Sequence, residues 1–396
     1  MNSQTSSRNL KTIFYLVCFS AFLGSLAQNI YTPVIPLIKV VFNTSLPLVN
    51  LTVSAFTFVL AVMQLVYGPL IDSKGRKTVL LPSLVIFVMG SLGCAMTTDI
   101  YWLIFFRVIQ AIGLGAIPVV AATIIGDLYE GQQRAKAMST YQMLLALTPA
   151  VGPLFGGYLA ELNGYVAIFQ CLAIIGGLLI IGNLFWLPET KPELPTQNKK
   201  IKDHFRQILS NNISQSVFCI SFMLFYCYFC LLTFLPIILS SEYHFSPADI
   251  GWMFIPMSLA MIGGSYSYRM IHQHVSQKRA LVITSLLNLF IILIFAMTYS
   301  MSIAVLVTIT VFYGFTLGLS MPTHATLLIS EFVEERATAI GLYNFIRYTG
   351  MSAGPMISSF LLFDNHYEWI FIAGALLFAL AIGLATLILK SRYQPN

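Results

Sequence analysis

Charge is what this sequence lacks most. Asp, Glu, Lys and Arg together make up 9% of its 396 residues, against about 25% in a typical soluble domain. A chain this poor in charge cannot cover its surface in water, which excludes an ordinary soluble protein. Carboxylates are the scarcer sign, 15 against 21 cations, and none lies deep inside any long apolar run. A membrane-embedded acyl or glycosyl transferase would need clustered carboxylates or a His-Asp constellation at the surface, and no Ser/His/Asp set is visible. The six Cys, at 18, 94, 171, 219, 227 and 230, all sit inside apolar runs. Cys227-Tyr-Phe-Cys230 has the CxxC spacing, but no second pair accompanies it and its flanks are apolar, so it reads as packed thiols. The 30 Phe and 19 Tyr show no strand-like alternation.

Apolar length is what the sequence has. Hydrophobic residues are 57% of the chain and the mean hydropathy is +0.81. Twelve apolar runs of roughly 20 residues or more can each span a bilayer as a helix: about 12–37, 48–71, 78–97, 100–126, 136–161, 164–187, 213–239, 247–271, 280–299, 302–329, 336–362 and 367–389. Backbone groups in lipid must be satisfied within the protein, so the expected fold is an all-α membrane protein, a twelve-helix bundle. The first run is too long for a signal-peptide core and lacks a small-residue cleavage site, so it reads as a retained helix. Residues 188–212 carry Pro188, Pro192 and Pro195, then Lys199, Lys200, Lys202 and Arg206. That composition predicts a linker with a short amphipathic surface helix over Ile201 to Leu209. The expected division is a six-helix bundle over 1–187, the linker over 188–212, and a second six-helix bundle over 213–396.

With the N-terminus inside, 18 of the 21 Lys and Arg fall on the cytoplasmic side. Only Lys39 falls outside, and Arg107 and Arg347 lie within spans. This asymmetry predicts a multi-pass protein of an inner or plasma membrane with both termini cytoplasmic. It also accounts for the net charge of +6 without a nucleic-acid partner. The halves repeat. Gln133-Arg134-Ala135-Lys136-Ala137-Met138 precedes the fifth run, and Glu335-Arg336-Ala337-Thr338-Ala339-Ile340 precedes the eleventh, 202 residues later. The same offset carries Tyr141 onto Tyr343 and Gly152-Pro153 onto Gly354-Pro355. Two related bundles that rock about a site held between them are what alternating access needs.

Between the second and third runs lies Gly68-Pro-Leu-Ile-Asp72-Ser-Lys74-Gly75-Arg76-Lys77. A connection so short makes the two runs antiparallel neighbours. Gly68 and Gly75 allow close backbone approach or positive φ. The stretch resembles the loop signature G-x-x-x-D-x-x-G-R-K of the major facilitator superfamily, with Gly68, Asp72, Gly75, Arg76 and Lys77 filling every defining position. The resemblance covers almost the whole chain and implies two pseudo-symmetric six-helix bundles. It also implies that Asp72, near the N-terminus of the eleventh helix at Arg336, and Arg76, paired with Asp127, form a conformational latch.

Two further stretches narrow the resemblance to the twelve-helix drug:proton antiporter branch of bicyclomycin and chloramphenicol-resistance type. Gln28-Asn29-Ile-Tyr31-Thr-Pro33-Val-Ile-Pro36 is similar to D-x-Y-x-P-x-x-P, with Asn29 where the pattern has Asp. Thr148-Pro149-Ala-Val-Gly152-Pro153-Leu-Phe-Gly156-Gly157 is similar to G-x-x-x-G-P-x-x-G-G, with Thr148 for the first Gly. Small residues let helices approach and proline bends them.

Four more features lie in the spans. Arg107 is about seven residues into the fourth helix, roughly 10 Å deep, with Gln110 on the same face. Arg107-Val-Ile-Gln110-Ala-Ile-Gly113 resembles the family's R-x-x-Q-G-x-G, tied there to proton coupling. Arg347 is deeper, roughly 16 Å into the eleventh helix and near the middle of a ~30 Å core, with Tyr343, Asn344 and Tyr348 around it. A buried cation without an acidic partner is a receptor for an anionic substrate. His324 in the tenth helix has a reference pKa near neutrality and can carry a proton. The seventh helix bears Phe225, Tyr226, Tyr228 and Phe229, an aromatic lining for flat or amphiphilic molecules. Gln28, Asn29, Tyr31, Arg107, Gln110, Tyr141, Tyr226, His324, Asn344 and Arg347 together make the expected substrate and proton pathway.

The expected function is a secondary transporter, not an enzyme: proton-driven efflux of drugs or amphiphilic metabolites by alternating access. The alternative is a symporter or facilitator of an anionic metabolite or siderophore. The expected partners are a small-molecule substrate, protons and the bilayer, with the chain acting as a monomer. No cofactor or metal is implied. Replacing Asp72 by Asn is expected to cripple transport while leaving membrane insertion intact, measured as uptake per molecule in the membrane fraction; normal transport would remove the latch.

Overall fold

The structure, a computed structural model, describes residues 3–129, 133, 137, 140–141, 144–145, 147–189, 201–271, 275–332, 336–362 and 366–390. Among them there are helices and no strands. In chain order the helices are α1 (Ser3–Asn29), α2 (Ile35–Val41), α3 (Leu46–Lys74), α4 (Arg76–Met96), α5 (Ile100–Leu128), α6 (Thr148–Trp186), α7 (Ile201–Ser210), α8 (Asn212–Tyr243), α9 (Pro247–Ile271), α10 (Gln277–Thr298), α11 (Ile303–Glu331), α12 (Arg336–Phe360) and α13 (Glu368–Lys390). Starts are marked by side-chain caps. Asp99 Oδ1 accepts from the amides of Tyr101 and Trp102 at 2.8 and 3.2 Å, and Asn211 Oδ1 accepts from the Ile213 amide at 2.8 Å. Each satisfies donors that a helix N-terminus leaves open.

Nine helical segments among the described residues are long and apolar enough to cross a membrane. One of them, Thr148–Trp186, holds two passes. Its backbone leaves helical geometry at Asn163 and at Gly164, whose φ of +60° suits glycine. The break falls between the expected fifth and sixth runs. Two further 25-residue helices, α9 and α12, are long enough but more polar; α12 carries Asn344 and Arg347. Together these supply the twelve passes of an all-α membrane protein. The first run differs from expectation. It is not one continuous helix: α1 ends at Asn29, a 3-10 turn follows over Thr32–Val34, and α2 restarts at Ile35. Pro33 and Pro36 explain this, since neither offers an amide to continue the ladder.

Contacts group the chain into two compact units, one of Met1–Gln197 with Ser246–Trp252, the other of Asn198–Phe245 with Met253–Asn396. Within the first unit, α6 lies on the end of α1. A Cβ at Gly152 would stand 2.7 Å from Asn29 Cβ, and one at Gly156 would stand 1.9 Å from the Ile30 carbonyl oxygen. On its other side, Gly157 meets the Pro247 carbonyl and Gly251 meets that of Pro153. Asn183 Nδ2 ties the far end of α6 to Ser20 Oγ at 3.1 Å. The second unit repeats the arrangement. Gly350 and Gly354 of α12 rest on the carbonyls of Phe222 and Tyr226 in α8, where a Cβ would stand 2.3 and 2.5 Å away. Asn288 bridges α10 to α11 by donating to Ser320 Oγ at 2.9 Å and accepting from Thr316 Oγ1 at 3.1 Å. Close backbone approach at small residues, with an amide as polar glue, is how helices associate when lipid removes the hydrophobic drive.

Gly156→Ala is therefore expected to destabilise the purified protein by about 1–3 kcal/mol, as overpacking does. Gly177→Ala, where a Cβ would meet nothing within 4 Å, is expected to leave it unchanged or slightly more stable. Melting curves in one detergent compare them directly; equal Tm values would show that the α1–α6 crossing is not close-packed.

Candidate functional site

Three groups of polar residues stand out, each inside one unit. The first is the turn between α3 and α4. Gly75 adopts φ +105°, a conformation that favours glycine. Arg76, 5% exposed, turns its Nε to Asp127 Oδ2 at 2.9 Å. Lys77 Nζ donates to the Leu184 carbonyl at 2.8 Å. Glu189, which was not among the candidates, completes the group. Its carboxylate accepts from the Arg76 amide at 2.7 Å and from the amide and hydroxyl of Thr78 at 3.2 Å each. A carboxylate here caps α4 and meets the positive end of its dipole. Glu189 also fills the space a Cβ at Gly75 would need, with Oε2 2.6 Å away. The sequence signal was Pro188-Glu189 directly after the sixth apolar run. Gly68 corrects one expectation: it has no positive φ, and among the described residues nothing lies within 4 Å of where its Cβ would be. The side chains of Asp72 and Arg336, the other members of the expected latch, lie outside the described residues.

The second group surrounds Arg107 on α5, which is 1% exposed. Its guanidinium donates to Gln110 Oε1 at 2.8 Å and to the Thr52 carbonyl at 3.4 Å. Gln110 passes the chain on to Ser91 Oγ at 2.8 Å. The rings of Phe56 and Tyr31 cover the cation at 3.9 and 4.7 Å, and Tyr31 and Thr52 join their hydroxyls at 2.9 Å. The cation is thus held by an amide, a carbonyl and two π faces, a set that can stabilise a desolvated guanidinium without a carboxylate. The side chain does not snorkel. Asn29 donates to the Ser25 carbonyl at 2.8 Å, a local helix bond. Gln28 is partly exposed, and Tyr141, buried, donates to the Pro118 carbonyl at 3.5 Å.

The third group lies in the second unit, on α8, α11 and α12. Arg347 is partly exposed, with its guanidinium carbon 5.0 Å from the Tyr348 ring, 5.2 Å from Phe225 and 5.8 Å from Tyr343. His324 is fully buried. Its Nδ1 lies 2.9 Å from Ser221 Oγ, and its ring stands edge-on to Tyr343 at 6.2 Å. Asn344 is partly exposed beside them in sequence. Tyr226 is not part of this group. It is buried, and its hydroxyl lies 3.0 Å from Ser358 Oγ, at the α8–α12 crossing. The reason is helical phase: Phe225, one residue earlier, takes the face toward Arg347. Gly152, Pro153, Gly156 and Gly157 form the crossings already described, with Pro149 one turn before them, and they line neither Arg107 nor Arg347.

The sequence matches the Major Facilitator Superfamily over residues 17–355 and 217–396. An MFS-type transporter of Bacillus subtilis, YdgK, is 27% identical over 340 residues, 84% of each chain. Multidrug resistance protein D of Escherichia coli is 32% identical over 185 residues, 47% of each chain. Citrate exporter 1 of Aspergillus niger is 29% identical over 186 residues, 47% of this chain and 35% of the exporter. The chain thus spans a third to a half of the length of several curated relatives. In fold it is similar to a bacterial homologue of the human lysosomal transporter Spinster, with a TM-score of 0.82 at 16% identity, covering 99% of this chain and all of that one. Its twelve helical passes, its filled loop signature and a match running nearly end to end agree: the chain belongs to the Major Facilitator Superfamily, a family of membrane transporters.

Proposed function

We propose that the chain exports drug-like or amphiphilic small molecules across an inner or plasma membrane, driven by protons and working by alternating access. Its two halves are 1–187 and 213–396, joined by the linker 188–212, with both termini cytoplasmic. The observation that carries this reading is the crossing of Gly152 and Gly156 on Asn29 and Ile30. Backbone rests on backbone there, at the point where α1 breaks, and Pro149 and Pro153 loosen the helix that must turn. A joint without side chains can pivot without repacking. Relatives named for efflux support the direction, among them multidrug resistance protein D and an efflux pump, radE, of Floropilus chiversii, 36% identical over 173 residues.

In this reading the proton travels on His324. Asn29 stands where the antiporter pattern has an acid, and the neighbours of Arg107 are neutral. His324 Nε2, buried and without a hydrogen-bond partner, is the site left for a proton.

Cells expressing the protein are expected to accumulate several-fold less of at least one toxic amphiphile than deletion cells, with the difference lost on adding a proton uncoupler. Unchanged accumulation across a broad screen would overturn export. His324→Gln keeps a polar group toward Ser221 but cannot carry a proton. It is expected to cut uncoupler-sensitive efflux about tenfold or more while sparing substrate counterflow; full proton-driven efflux in that variant would remove His324 from the pathway.

A further inference from the structure

Two guanidiniums sit at span depth, and they are treated differently. Arg107 is sealed and satisfied. Arg347 is neither. Its Nε is buried without a hydrogen-bond partner, and among the described residues no carboxylate lies within ion-pair distance of it. Yet the side chain is partly exposed, as is every residue from Asn344 to Thr349. Three aromatic rings, from Phe225 on α8 and Tyr343 and Tyr348 on α12, stand around the guanidinium at 5.0 to 5.8 Å. Edge-on to Tyr343 stands a second orphan, His324 Nε2.

We infer that Arg347 anchors a binding site, in the second unit, for an organic monoanion: a carboxylate on a flat apolar body. This rests on the transporter reading and names the substrate class for it. A planar fork that bonds Tyr343 and leaves its Nε unused matches a carboxylate in geometry. An unpaired cation at mid-span gains most from a ligand that brings the missing charge. Arg347 is the single cation at that depth in this half, so one negative charge neutralises the site and a second would be left unpaired. Tyr348, the partly exposed ring of the three, supplies stacking area for an apolar body, while the buried Phe225 and Tyr343 hold the guanidinium in place.

The test uses the full chain, purified in phosphatidylcholine nanodiscs, with benzoate, salicylate, 2-naphthoate and octanoate against their matching amides. At least one carboxylate is expected to bind and raise the Tm, with its amide tenfold weaker or worse. Arg347→Gln is expected to lose that binding while its unliganded Tm stays equal or rises, since an unpaired charge is removed. Tyr348→Leu is expected to weaken the aromatic carboxylates more than octanoate. Equal binding of acids and amides, binding unchanged in Arg347→Gln, or no carboxylate binding at all would each overturn the site. Loss of binding in nanodiscs that contain phosphatidylglycerol would show the guanidinium holding a lipid headgroup, and would overturn it too. Because binding is read without transport, the two readings fail separately. Export of neutral compounds with no carboxylate binding sinks the site alone. Arg347-dependent binding with no efflux of any compound sinks the exporter alone.

Discussion

A cation inside a bilayer has to find a partner, and here no carboxylate at span depth is offered to it. That constraint organises both units. In the first it is met internally. Tyr31, Phe56, Thr52, Gln110 and Ser91 come from α3, α4, α5 and the end of α1, and all are committed to a single guanidinium. Such a network is expensive to disturb, because each member's partner would be left unpaired in a low-dielectric interior. It ties α3, α4 and α5 to the turn that follows α1. In the second unit the same requirement is left open at Arg347, and an open requirement is what a ligand can fill.

The packing follows a second rule, also shared by the units. Where α6 meets α1, and where α12 meets α8, glycines bring backbone against backbone. Gly152 and Gly354, related by the 202-residue repeat, do the same work in each. The charge is not repeated: α12 carries Arg347, and the same offset falls on Leu145. The repeat therefore preserves the mechanics of the crossing while the chemistry diverges, as expected when one half grips the substrate and both must move.

Much of this was legible in the sequence because membrane helices announce themselves by length and by cation placement. The twelve runs and the loop signature rest on patterns within short windows, a helix of known pitch puts Arg107 and Gln110 on one face, and the pairing of Arg76 with Asp127 across 51 residues came from the family resemblance. What escaped was long-range. Glu189 lies 113 residues from the amide it caps, and no local pattern joins them. Which of Phe225 and Tyr226 faces Arg347 depends on the rotation of α8, and an aromatic cluster of four leaves that rotation undetermined. The break of α1 at Asn29 was signalled by Pro33 and Pro36 but hidden by an apolar run that continues through it. Gly68 carries the signature without a visible steric reason, so neither close approach nor backbone conformation accounts for it.

The neutrality around Arg107 has a consequence for coupling. A carboxylate at the position of Asn29 would let the first unit alternate between charged and neutral as it binds and releases a proton. With an amide there, donating to Ser25, and with only neutral partners on the guanidinium, the charge of that interior stays at +1 throughout. A fixed charge can hold structure and bias the local potential, but it cannot count protons. On the exporter reading proposed above, the proton is then carried in the second unit, by His324.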